Sequence, residues 1–121
     1  MIEPAEMAEL LDPARTGPCI SIYLPTQRPF PQNQQNAIRF RNLLKEVEDS
    51  LVSALDEKST IALTTPLHEL AQDQEFWTHA TDGLAVFVSP GYFRLVQLQR
   101  TPPQIAIVAE RFHVKPMLRI V

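Results

Sequence analysis

The chain has 121 residues, 45% hydrophobic and 21% charged, with a net charge of −3, the make-up of one globular domain large enough to bury a continuous core. No apolar run approaches the ~20 residues that span a bilayer, and the acidic first dozen residues are unlike the basic start of a signal peptide. The single Cys19 can form no internal disulfide and lacks the paired spacing of thiolate metal sites, so a reducing, cytoplasmic setting is expected.

In chain order, Met7, Leu10 and Leu11 fall at helical spacing from Glu3 to Leu11, and Asp12-Pro13 followed by Gly17-Pro18 ends that helix. Cys19 to Leu24 is β-branched and nearly all apolar, as suits a strand buried on both faces, and Pro25 closes it. Pro25 to Asn33 holds three prolines and reads as an extended, stiff loop. Phe40, Leu43, Leu44, Val47, Leu51, Ala54 and Leu55 then mark a long amphipathic helix from about Gln34 to Asp56.

A second helical stretch is expected from about Ser59 to Asp73, with Pro66 setting its start or a kink. Leu84–Ser89 and Tyr92–Leu98 flank Pro90-Gly91 as a β-hairpin, and Ile105–Ala109 is a fourth strand. Pro116 opens a further helical pattern that stops on apolar residues. The expected organisation is one N-terminal α/β domain over 1–115, with 116–121 beginning the connection to a downstream domain. Helices between the first and second strands predict an α/β fold, a mixed four-stranded sheet with helices packed on it.

The net charge argues against general nucleic-acid binding, yet the charges are segregated. Residues 1–12 carry four acids and no base, and 13–45 carry five bases and no acid. Residues 46–82 carry nine acids against Lys58, and 83–121 carry five bases against Glu110. Such blocks become a surface field only where the fold keeps them apart.

Five motifs stand in order: Cys19-Ile20-Ser21-Ile22-Tyr23-Leu24-Pro25; Asn36-Ala37-Ile38-Arg39-Phe40-Arg41-Asn42-Leu43-Leu44; Phe76-Trp77; Asp82-Gly83-Leu84-Ala85-Val86-Phe87; and Arg111-Phe112-His113-Val114-Lys115-Pro116. The set resembles the N-terminal domain of the bacterial archaeo-eukaryotic release factor family, over nearly the whole chain from about Cys19. In release factors proper this domain enters the decoding centre, and a middle domain carries a Gly-Gly-Gln loop that promotes peptidyl-tRNA hydrolysis. This chain has no adjacent glycines, so the resemblance is to the decoding-site domain alone. The family's Asn-Ile-Lys-Ser stop-codon reader corresponds to Asn36-Ala37-Ile38-Arg39, where only the asparagine matches in register. The resemblance therefore implies ribosome binding in rescue or hibernation rather than stop-codon reading.

The candidate RNA-binding residues are Arg28, Phe30, Asn36, Ile38, Arg39, Arg41 and Lys45: cations for rRNA phosphates, and an aromatic in a proline-rich loop to stack on an unpaired base. Ile38 is apolar on the polar side of its helix, opposite Phe40, Leu44, Val47 and Leu51. Arg39 and Arg41 sit in early helical turns, against the helix dipole. The plainer reading is a solvated helix face. An alternative function is a protein-interaction or scaffold domain without RNA binding, using the acidic segment 46–82 or the Ile38 patch.

Enzyme chemistry is not expected. His68, His79 and His113 have no metal-ligand spacing, Ser21 and Ser89 lack a nucleophile elbow, and no glycine-rich loop could cradle a phosphate. Glu46, Glu48, Asp49, Asp56 and Glu57 read largely as the wet side of helices rather than as paired catalytic carboxylates. No cofactor, metal or membrane partner is expected, and the sequence carries no signal for an oligomeric state. Phe76-Trp77 is expected to anchor the segment before the hairpin by burial.

Overall fold

The computed structural model describes residues 4–15 and 17–120, the last three of these as backbone. Its elements are α1 (Pro4–Leu10), β1 (Cys19–Pro25), α2 (Asn36–Val52), α3 (Glu57–Ala71), α4 (Gln74–Thr78), β2 (Gly83–Ser89), β3 (Tyr92–Leu98), β4 (Ile105–Ala109) and α5 (Lys115–Ile120), with a short 3-10 turn over Gln32–Gln35. Glu3, the expected start of the first helix, lies outside the described residues. Pro116 sits in the first turn of α5, where its missing N–H leaves no helical bond unmade.

One sheet runs in the order β3-β2-β1-β4, so β1 is central as its unbroken apolar sequence requires. Every pairing is antiparallel: Ile20↔Val88 to Pro25↔Gly83 joins β1 to β2, and Cys19↔Ala109 to Tyr23↔Ile105 joins β1 to β4. The expected mixed sheet is therefore corrected to an antiparallel one. A single long helix after β1 would carry the chain back to the start of the strand and give a parallel neighbour. Two long helices, α2 and α3, carry it back and forth, and β2 enters from the end at which β1 left. The β2–β3 hairpin turns at Pro90-Gly91, where Gly91 supplies φ +76°.

The strict alternation along β1 and β2 separates two cores. Ile20, Ile22, Leu24, Leu84, Val86 and Val88 face Phe40, Leu43, Leu44, Val47 and Leu51 of α2 and Leu63, Leu67 and Leu70 of α3. Cys19, Tyr23, Ala85, Phe87, Val96 and Leu98 face the other way, under Leu10 of α1 and under Phe112 and Met117. Ser21, buried on this second face, accepts from the His113 backbone N–H at 2.9 Å.

The helices depart from expectation at their ends. The stretch expected over 34–56 divides into the 3-10 turn and α2, and α2 stops at Val52. α3 runs on through Pro66 because its start is fixed elsewhere: Asp56 caps it, its carboxylate accepting from Ser59 N at 3.2 Å, and hydrogen bonds from the Ser59 side chain first, then its backbone, hold the Asp56 pKa below its ordinary value. α4 is an extra, five-residue helix capped by Asp73, too short to show periodicity. Trp77 within it is 4% exposed, lies 5.3 Å from the Phe40 ring, and donates its indole N–H to the Leu70 carbonyl at 2.9 Å.

Candidate nucleic-acid interface

The loop and the start of α2, which carry most of the residues singled out from the sequence, follow the end of β1. The loop after Pro25 is pinned at both ends. Thr26 donates its hydroxyl to the Thr81 carbonyl at 2.6 Å, and Asn36 closes a two-bond ring with Gln27, accepting from Gln27 N at 2.9 Å and donating to Gln27 O at 3.0 Å. Asn36 is 0% exposed. Its amide is spent on holding the loop, which corrects its assignment as an RNA-contacting residue: it shapes the surface without belonging to it.

Arg28 is exposed, but its Nε lies 2.8 Å from Asp82 and its Nη2 reaches Gln99 Oε1 at 3.2 Å. The hydrogen bond and charge of Asp82 raise the guanidinium's pKa further. Arg28 thus joins the loop to the β2 side of the molecule, and much of its charge is balanced there. Phe30, by contrast, stands at the tip with 75% of its surface exposed. The loop beneath it is folded by Asn33 N to Pro29 O (2.9 Å) and Gln34 N to Pro31 O (3.1 Å), and the Phe30-Pro31 peptide is cis.

On α2, Ile38 is 46% exposed and Arg41 and Lys45 lie on the same solvent-facing flank, toward α3. Arg41 Nη2 donates to the Ala71 carbonyl at 3.3 Å, which leans the side chain toward the junction of α3 and α4. Arg39 does not join them. Two residues apart on a helix project roughly 160° apart, so Arg39 lies on the opposite flank from Arg41. The structure therefore divides the candidates: Ile38, Arg41 and Lys45 share one flank of α2, Phe30 stands at the loop tip, Arg28 is paired, Arg39 faces away and Asn36 is buried.

Charge blocks of opposite sign meet at two ion pairs. Arg28 meets Asp82, Arg94 of β3 pairs with Glu6 of α1, and the Tyr92 hydroxyl lies 3.5 Å from Glu9. His68 stands 3.3 Å from Glu48 across the α2–α3 pair, while His79 Nδ1 lies 2.9 Å from the Glu75 carbonyl. The Ser89 hydroxyl accepts from Arg15 at 3.2 Å. Among the described residues no group of three His, Cys, Asp or Glu could hold a metal ion, and no helix is long and apolar enough to cross a membrane.

Sequence reasoning missed the surroundings of Phe30. Phe30, Asn33, Gln34 and Ala37 face Gln74, Trp77 and Thr78 of α4 across a cleft of about 420 Å³. The run Gln32-Asn33-Gln34-Gln35 beside an unpaired aromatic was the available signal, but the role of α4 as the far wall was not visible along the chain. No protein-family model matches this chain, and no curated protein does either.

Proposed function

We propose that this α/β domain is a translation-associated module that binds the ribosome through rRNA, serving rescue or hibernation rather than stop-codon reading. The reading comes from the resemblance to the bacterial archaeo-eukaryotic release factor family. The observation that carries it is the exposed Phe30, held on a braced loop beside the first turn of α2, the helix whose solvent-facing flank carries Arg41 and Lys45. An exposed aromatic and two exposed cations offer stacking to an unpaired base and charge to phosphates, the two contacts that single-stranded RNA provides together.

Co-sedimentation with purified ribosomes across a salt series tests it. Binding should fall with salt and should drop further in an Arg41→Ala, Lys45→Ala double variant that melts at the parent temperature. Absence of binding at low salt would sink the proposal. A second reading, docking to a protein without RNA, draws on the exposed Ile38 and on the neutralisation of Arg28 by Asp82. It predicts a partner whose binding tolerates salt and depends on Ile38.

A further inference from the structure

The cleft under Phe30 has a chemistry of its own. Its aromatic members differ in accessibility: Phe30 stands 75% exposed, while Trp77, 4% exposed, forms part of the floor with its indole N–H already committed to Leu70. The Thr78 hydroxyl donates to the Gln74 carbonyl at 2.8 Å. The side-chain amides of Asn33, Gln34 and Gln74 remain, with no hydrogen bond to another described residue.

An amide presents a donor and an acceptor side by side, which is the pattern on the edge of a nucleobase. No charged side chain lines the cleft, and the acids Asp73 and Glu75 flank Gln74 on α4. That setting disfavours a phosphate inside. Arg41 lies one helical turn beyond Ala37 and leans on Ala71, outside the lining of the cleft.

We infer that the cleft takes one unstacked nucleobase of single-stranded RNA: Phe30 stacks on its face, the amides of Gln34 and Gln74 read its edge, and Arg41 meets the adjoining phosphate. This deepens the rRNA reading above and rests on it for its biological setting. The base is displaced from its own stack and gains an aromatic face in exchange.

The test is fluorescence anisotropy of the full chain with short labelled adenine and uridine oligoribonucleotides and with an abasic oligomer of the same length and charge. Both base-bearing oligomers should bind about tenfold or more tighter than the abasic one. Phe30→Ala and Phe30→Leu should abolish that difference and Phe30→Tyr should keep it. Gln74→Ala should narrow any preference between adenine and uridine, while Arg41→Ala should weaken all three oligomers alike. Equal binding of abasic and base-bearing oligomers, or a difference that survives Phe30→Ala, overturns the assignment.

Ribosome co-sedimentation of the same samples separates the two levels. Ribosome binding without base preference overturns the pocket and leaves the rRNA module standing. Base preference without ribosome binding supports the pocket and removes the module. Failure of both, with Phe30-dependent capture of a protein partner, overturns both in favour of protein docking.

Discussion

The Tyr23 hydroxyl donates to the His113 carbonyl at 2.5 Å, and its ring lies edge-on to Phe87 at 5.9 Å, so one side chain ties the central strand to the segment covering the second face of the sheet. Burial raises its phenol pKa well above the ordinary value. An unfolded tyrosine titrates near pH ~10, and the folded one titrates higher. The stabilisation is therefore complete below that pH and is lost as pH rises through it and beyond. Tyr23→Phe should cost about 1 kcal/mol at neutral pH through the lost hydrogen bond and should flatten the alkaline fall in stability, as read from urea midpoints across that range. Trp77→Ala should cost about 3–5 kcal/mol, measured by the same titration, because its ring fills the junction of α2, α3 and α4. Trp77 was legible in the sequence as a buried anchor because a lone tryptophan beside phenylalanine has few other uses. Asn36 was not, since an asparagine at a helix start reads equally well as a surface contact, and only the ring it forms with Gln27 reveals the choice.

At the scale of elements, α3 carries a removable cost. Pro66 lies inside the helix, where it can give no N–H to the carbonyl four residues earlier. Pro66→Ala should stabilise the protein by about 1–3 kcal/mol, seen as a higher urea midpoint with an unchanged slope. Of the start or kink expected at Pro66, the start is excluded: the Asp56 cap begins the helix well before it, and Leu63, Leu67 and Leu70 pack it on both sides. Strand positions were legible to within a residue, since alternation and β-branching are local. Strand direction was missed although both helices between β1 and β2 were expected, because direction follows from how successive elements reverse in space and not from any local pattern. The cleft wall supplied by α4 was hidden for a related reason, because five residues hold no periodicity to read.

For the whole molecule, charge blocks of opposite sign that alternate along the chain are joined at two ion pairs, Glu6 with Arg94 and Arg28 with Asp82. The proposed RNA contact uses two cations, Arg41 and Lys45. With about two phosphate contacts, the logarithmic salt dependence of ribosome binding should have a slope of roughly −1 to −2, and Arg28→Ala should leave binding unchanged in the sedimentation assay. A steep slope would show that cations outside this flank take part. The helix pair between β1 and β2 also governs the order of assembly. It is a local unit, whereas the pairing of β1 with β2 joins segments about sixty residues apart. Helical signal should thus develop early in refolding, while the sheet at the centre of the domain closes late, on a scale of milliseconds to seconds. Until that closure the apolar strand from Cys19 to Leu24 has neither of its neighbours, and a chain emerging slowly from synthesis must keep this one segment from pairing with another copy of itself.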